Sequence, residues 1–412
     1  MKKLLALMLA ACMVVSLAAC GSSSSSSDTT AAADETTAAA AETTGDEETT
    51  AAGDETAAAD ESQAAEATGD YRIAMITDYG DITDQSFNQT TYEACKAFCE
   101  ENGLDFTYYK PDGDSTAERV AMVEKAADEG YNVIVMPGYA FGETIVETAE
   151  TYSDITFIAL DVAQSDLGDD YVIPSNVYCA VYQEELSGYM AGYAAVKMGY
   201  THLGFLGGMA VPAVIRYGYG FVQGVDTAAA ELGIEATVEY VYGNQFYGDS
   251  DITAYMDNWY QTLGVEVVFA CGGGIYSSAA EAAAKVDGAK VIGVDTDQQG
   301  IIDGTYGDGM TITSAMKGLA ATVNSLLTEV IAGNFASYGG QVDTLGLVNG
   351  DDPESNYVQI PIEGTQWNDS FTEDDYKELV SKMYSGEITV SNDTEAMPEV
   401  SATTVNEYGN IK

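Results

Sequence analysis

Short apolar runs alternate with amphipathic helical patterns along this chain, and the alternation is written twice. The strand-like runs are 72–77, 105–109, 132–136, 156–160 and 176–182, then 203–207, 237–242, 265–270, 290–294 and 310–314. Helical patterns lie between most of them, at 115–129, 141–152, 184–198, 214–232, 251–263 and 277–286. Such alternation predicts parallel sheets with helices on both faces. Each half holds about four strand–helix units, so two Rossmann-like lobes are expected rather than one very wide sheet. After Asp297 the pattern thins to a helix at 318–332 and strand-like 341–347 and 357–362, as suits a chain crossing back between lobes. A last amphipathic helix at 373–384 precedes residues 388–390 and a polar end.

The N-terminus is of a different kind. Lys2 and Lys3 lead into an apolar run that ends in Leu17-Ala18-Ala19-Cys20. A basic start, a short apolar core and small residues mark a secretory signal. The Cys after Leu-Ala-Ala resembles a bacterial lipobox, which implies cleavage after residue 19 and lipid attachment to Cys20. Residues 20–70 then form an acidic Ser/Thr/Ala-rich tract without Lys or Arg. It has too little apolar surface to offset its ordering entropy and reads as a disordered tether.

The chain has 66 acidic and 15 basic residues, a net charge of −51. That argues against nucleic acid and an anionic membrane face as natural partners. Contact with a membrane is expected through the lipid alone. Cys95, Cys99, Cys179 and Cys271 remain in the body, and His202 is the only histidine. Buried thiols are expected; zinc chemistry of the Cys/His type and most histidine-based acid–base schemes lose their residues.

The stretch ITDYGDITDQSFNQ, 76–89, joins the first strand to the first helix. Ser86 followed by Gln89 has the spacing of a capping box. Phe87 and Asn88 then fall in the first helical turn, at the carboxyl end of the strand, where open α/β sheets bind ligands. An aromatic face beside an amide suits a flat ligand with polar edges. Gly272, Gly273 and Gly274 also follow a strand and precede a helix. Ser277 stands where the third glycine of a dinucleotide fingerprint belongs, so the fingerprint is incomplete; close backbone approach to a sugar explains these glycines as well.

Six blocks, in order, resemble the basic membrane protein family of lipoproteins. They are 76–89, FIALDV at 157–162, NVYCAVYQEELSGYMAGYAA at 176–195, LGFLGGMAVPAVIRYGYGFVQGV at 203–225, VIGVDTDQ at 291–298 and TSAMK at 313–317. The best-understood members of that family are purine-nucleoside receptors of ABC transporters. The resemblance implies a type I periplasmic-binding-protein fold: α/β, two lobes joined by three crossover segments, with no catalysis and no cofactor. The expected first lobe is 71–178 with about 315–337. The second is 179–314 with about 338–390, and 391–412 form a tail.

The resemblance also implies a binding site. Phe87 would stack on one face of a base and Phe246 on the other, with Tyr242 and Tyr247 as rivals for Phe246. Asn88 and Asp161 would read the base edge; Asp295 and Lys317 would hold the sugar. Asp78 and Gly273 complete the set. The implied ligands are inosine, guanosine and adenosine, the first two favoured because a carboxylate at Asp161 can only accept hydrogen bonds. A permease and an ATPase are the implied protein partners. Gln85 stands where the family often has Lys, and Asp81 and Thr83 replace commoner Gly and Asp, which bears on the fine geometry of the loop. A riboflavin-like ligand, or a surface sensor or adhesin on the same fold, is the alternative, and an enzyme on this fold is the third class.

Overall fold

The computed structural model describes residues 69–412. The expected signal, Cys20 and the expected tether to 68 lie outside them. Thirteen strands run through the described chain. In the first half β1 is Arg72–Ile76, β2 Asp105–Tyr109, β3 Val133–Pro137, β4 Thr156–Leu160 and β5 Val177–Tyr182. The second half has β6 His202–Gly207, β7 Ala236–Tyr242, β8 Val267–Cys271, β9 Lys290–Asp295 and β10 Thr311–Lys317. The last three are β11 Gln341–Leu345, β12 Val358–Gln359 and β13 Thr403–Asn410. All ten runs expected in the two series form strands. Most are apolar, of β-strand length and buried on both faces; β2, at an edge, is aromatic and partly exposed.

They assemble into two sheets, ordered β11-β5-β4-β3-β1-β2 and β12-β10-β9-β8-β6-β7-β13. Every pairing is parallel except β10 with β12. Each sheet has an apolar core on both faces. In the first lobe, helix Phe87–Asn102 packs with helix Leu319–Ile331 on one face, and Cys95 and Cys99 are buried in the same apolar cluster as Leu326 and Leu327. The four cysteines of the body are all free and buried.

The chain passes between lobes three times: after β5, after β10 and between β11 and β12. Three crossover segments were expected, but the lobe limits move. Strand β5 stays in the first sheet to Tyr182, and β10 stays in the second to Lys317. Residues 341–345, expected in the second lobe, pair in parallel with β5 at the edge of the first. Short apolar periodicity gives a strand but not its sheet.

The polar end, expected as a tail, is a correction of another kind. β13 adds in parallel to β7 as the edge of the second sheet. Glu239 of β7 is buried, and its carboxylate accepts from Asn406 Nδ2 at 3.2 Å and Tyr408 OH at 2.7 Å, beside His202 Nε2 at 2.9 Å. A polar edge strand has no apolar alternation to reveal it.

One helix pair sets the place of two charged side chains, Glu184 and Arg216. Helix Glu184–Lys197 opens the second lobe, and helix Pro212–Leu232 crosses it. Gly188 and Gly192 on one face Gly220 and Gly224 on the other. A Cβ at Gly188 would fall on the Tyr217 carbonyl, and one at Gly220 on that of Glu185. The absence of these side chains lets the two backbones touch, and that contact brings Glu184 beside Arg216.

Candidate functional site

A cleft of about 730 Å³ lies between the lobes. Asp78, Phe87, Asn88 and Asp161 line it from the first lobe, and Phe246, Gly273, Asp295 and Lys317 from the second. All eight residues named from the sequence thus meet in one space.

The first-lobe wall is the loop after β1. Asp78 Oδ1 accepts from the backbone N–H groups of Tyr79 and Gly80 at 2.6 and 2.7 Å. Its carboxyl is nonetheless pushed up to about 6 by burial. The expected capping box does not form. Asp84 takes that task, its carboxylate accepting from the backbone N–H groups of Ser86, Asn88 and Gln89 at 2.9–3.0 Å. A carboxylate at a helix N-terminus is favoured over a hydroxyl by charge. Asp84 also holds Asn88 Nδ2 at 3.1 Å, which leaves Asn88 Oδ1 buried without a hydrogen-bond partner. Gln89 Oε1 instead accepts from Gln85, whose φ is +55°. Asp81 Oδ1 accepts from the backbone and hydroxyl of Thr83, and Oδ2 pairs with Lys110 at 2.7 Å, so two of the three residues that depart from the family pattern form a turn of their own.

Released from capping, the Ser86 hydroxyl reaches across the cleft and donates to Asp295 Oδ2 at 2.6 Å. Gln298 Nε2, also from the second lobe, donates to the Gln85 carbonyl at 3.0 Å. Lys317 makes the third tie, its Nζ 2.5 Å from Asp161 Oδ2.

Lys317 is the hub of the charged floor. It is 6% exposed, 3.5 Å from Glu184 Oε1 and 3.6 Å from Asp295 Oδ1, and its ammonium stands 4.7 Å from the centroid of the Phe87 ring. Burial penalises its charge, but the three carboxylates outweigh that and hold its pKa above the usual lysine value. Asp161 is moved the other way: burial pushes it up to about 6 in spite of Lys317. Its Oδ1 is buried with no hydrogen-bond partner. The resemblance implied Asp161 for a base and Asp295 with Lys317 for a sugar; in the structure Lys317 lies against Asp161 and Asp295 alike.

Asp161 and Asp295 leave their strands with φ of +60° and +66°. Only four non-glycine residues among those described have left-handed backbone, and three of them, Asp161, Asn244 and Asp295, line the cleft. Such conformations cost on the order of 1–3 kcal/mol each and gather at functional sites.

On the second-lobe wall Phe246 is half-buried. A Cβ at Gly208 or Gly272 would run into its ring, so those glycines seat it. Of its rivals, Tyr242 turns to Tyr240 OH at 2.9 Å and does not line the cleft; Tyr247 lines it but is 63% exposed.

Two residues of the site were not expected from the sequence. Glu184 is fully buried, and Arg216 Nε donates to its Oε2 at 2.7 Å. Acids in the first turn of a helix ordinarily serve the dipole, so Glu184 carried no signal. Arg216 carried one: it is the only Lys or Arg between Lys197 and Lys285.

Comparison with known proteins agrees with this architecture. Residues 72–394 match the family described as ABC transporter substrate-binding protein PnrA-like. The chain is 25% identical over 297 residues to the ABC transporter nucleoside-binding protein BmpA of Lactococcus lactis, spanning 68% of this chain and 80% of that one. It is 27% identical over 319 residues to the CD4+ T-cell-stimulating antigen of Listeria monocytogenes, spanning 72% and 85%. Among solved structures, ABC transporter solute-binding proteins from Aeropyrum pernix and Conexibacter woesei share the fold, each with a TM-score of 0.59, at 21% and 22% identity. They cover 79% and 78% of this chain, and it covers 88% and 99% of theirs. The ordered blocks, the two lobes with their three crossings, and a match over most of the length lead to one conclusion: this chain belongs to the PnrA-like family of ABC transporter substrate-binding proteins.

Proposed function

We propose that this protein is a lipid-anchored receptor, held by Cys20 on the extracytoplasmic face of a bacterial membrane, that captures a purine nucleoside and hands it to an ABC permease with its ATPase. The family is one of solute-binding proteins, not enzymes. The observation that carries the ligand is a single cleft with one half-buried phenylalanine from each lobe and two buried, unpartnered oxygens, Asn88 Oδ1 and Asp161 Oδ1. Aromatic faces take a flat ring. Buried acceptors without partners call for N–H donors on its edge, since leaving them unmet costs about 1–3 kcal/mol each. Asp295 and Lys317 offer an acceptor and a donor for ribose hydroxyls. The name of the Lactococcus relative, a nucleoside-binding protein, supports the same class.

Calorimetry of the purified protein with inosine, guanosine and adenosine tests it. Binding is expected for nucleosides, and free bases should bind at least about tenfold more weakly. Phe87→Ala and Asp161→Ala should each cost about tenfold to a hundredfold in affinity, whereas the exposed Glu129→Ala should cost nothing. Heat with riboflavin or a sugar but with no purine nucleoside would refute the assignment and leave the family standing.

A further inference from the structure

Arg216 lines the cleft and is mostly buried, its side chain 17% exposed. Its Nε is used by Glu184. Its terminal amino groups donate to no other described residue, although the carboxylates of Asp161 and Glu185 lie within electrostatic reach. Glu184 lies between Arg216 at 2.7 Å and Lys317 at 3.5 Å, and is itself fully buried. A guanidinium pinned at Nε by a buried acid cannot rotate freely. Its outer edge is a planar pair of donors held in fixed direction.

The cleft therefore has opposite chemistries side by side. Asp161 Oδ1 and Asn88 Oδ1 are acceptors; Arg216 is a donor fork. A ring that satisfies both needs N–H on one edge and adjacent acceptors on the next. The 6-oxopurines have this pattern: N1–H, then O6 and N7, the pair that arginine reads in two-pronged fashion. Adenine reverses it at position 6, setting an amine against the arginine donors, and its N1 accepts where Asp161 needs a proton.

Building on the proposed nucleoside cleft, we infer that Arg216 is a specificity-determining residue whose guanidinium reads the O6 and N7 edge of a 6-oxopurine. Glu184 is its positioning residue. Lysine at 216 would keep a positive charge opposite Glu184 but lose the planar fork, so Arg216→Lys separates the reading of the edge from the neutralisation of the buried acid.

The test uses the purified full chain, with inosine, 7-deazainosine and adenosine as calorimetric probes of the wild type and of Arg216→Lys. In the wild type, inosine is expected to bind about tenfold to a hundredfold tighter than adenosine and about tenfold tighter than 7-deazainosine, which lacks the N7 acceptor. In Arg216→Lys, inosine should fall to the affinity of 7-deazainosine, and removal of N7 should cost nothing more. Equal affinity of the wild type for inosine and 7-deazainosine would overturn the inference, and that comparison needs no variant. An equal loss for all three ligands in Arg216→Lys would also overturn it, as a merely structural role predicts. Should the wild type bind no purine nucleoside, the nucleoside reading falls and this one with it. Binding without discrimination would remove this inference alone.

Discussion

Asp161 combines two demands in one carboxylate. Oδ2 holds Lys317 and Oδ1 is buried without a partner. Burial lifts its pKa to about 6, so the acid is a carboxylate at neutral pH and takes up a proton as the pH falls below that. A protonated carboxyl no longer offers two accepting oxygens. Inosine affinity is therefore expected to fall as pH drops from about 7.5 to about 5, and an Asp161→Asn variant should bind weakly throughout, keeping only the dependence owed to Asp78, raised by burial to about 6, and to Glu185 near Arg216, raised by burial to about 7. A wild-type affinity that is flat over this range would contradict the role given to Asp161. At this scale much was legible: an Asp that ends an apolar strand, and an aromatic–amide pair in a first helical turn, have positions that the fold class explains. Ser86 marks the helix start in the sequence but does not cap it, because Asp84 two residues earlier brings a full charge to the same N–H groups. Glu184 was not legible at all, because its meaning depends on a helix that begins 28 residues later, at Pro212.

The helix pair Glu184–Lys197 and Pro212–Leu232 shows what an element contributes. Its glycines are not there for turns, since they sit in helix interiors where glycine is unfavourable by about 1 kcal/mol. They are there because another backbone occupies the space of a Cβ. Gly220→Ala is expected to destabilise by about 1–3 kcal/mol net, from overpacking. It should also weaken ligand binding, since Arg216 lies on the same helix and Glu184 opposite. Urea unfolding and calorimetry of the same variant measure both. A stabilised variant with native affinity would show that the contact is not what sets the site. The sequence displayed these glycines within two blocks, but helical periodicity cannot tell a glycine that admits a neighbour from one that is merely tolerated. The strands were easier, because most of β1 to β10 are apolar runs. β13 was invisible for the opposite reason: residues 403–410 are half-exposed and polar, and their pairing is set by an edge and by Glu239, not by a core.

As a whole the molecule is two lobes joined at three places, with a ligand-sized cleft between them and three ties across it, Ser86 to Asp295, Gln85 to Gln298, and Asp161 to Lys317. Such a layout closes about its crossovers. Spin labels on Thr83→Cys and Tyr247→Cys, on the two exposed lips of the body from residue 69 onward, should draw closer on adding inosine; the four native thiols of that body are buried and should stay unlabelled. An unchanged distance at saturating ligand would argue against hinge closure. The lobes were legible from the doubled strand–helix series. Their borders were not, because Gln341–Leu345 could serve either sheet until three dimensions assigned it to β5. The central claim, that the cleft is built for a purine nucleoside, is tested most directly by native mass spectrometry of the protein as purified from its native host. The account predicts an adduct with the mass of a purine nucleoside, foremost inosine or guanosine, that is lost in Phe87→Ala. A flavin or a sugar retained in its place would contradict it.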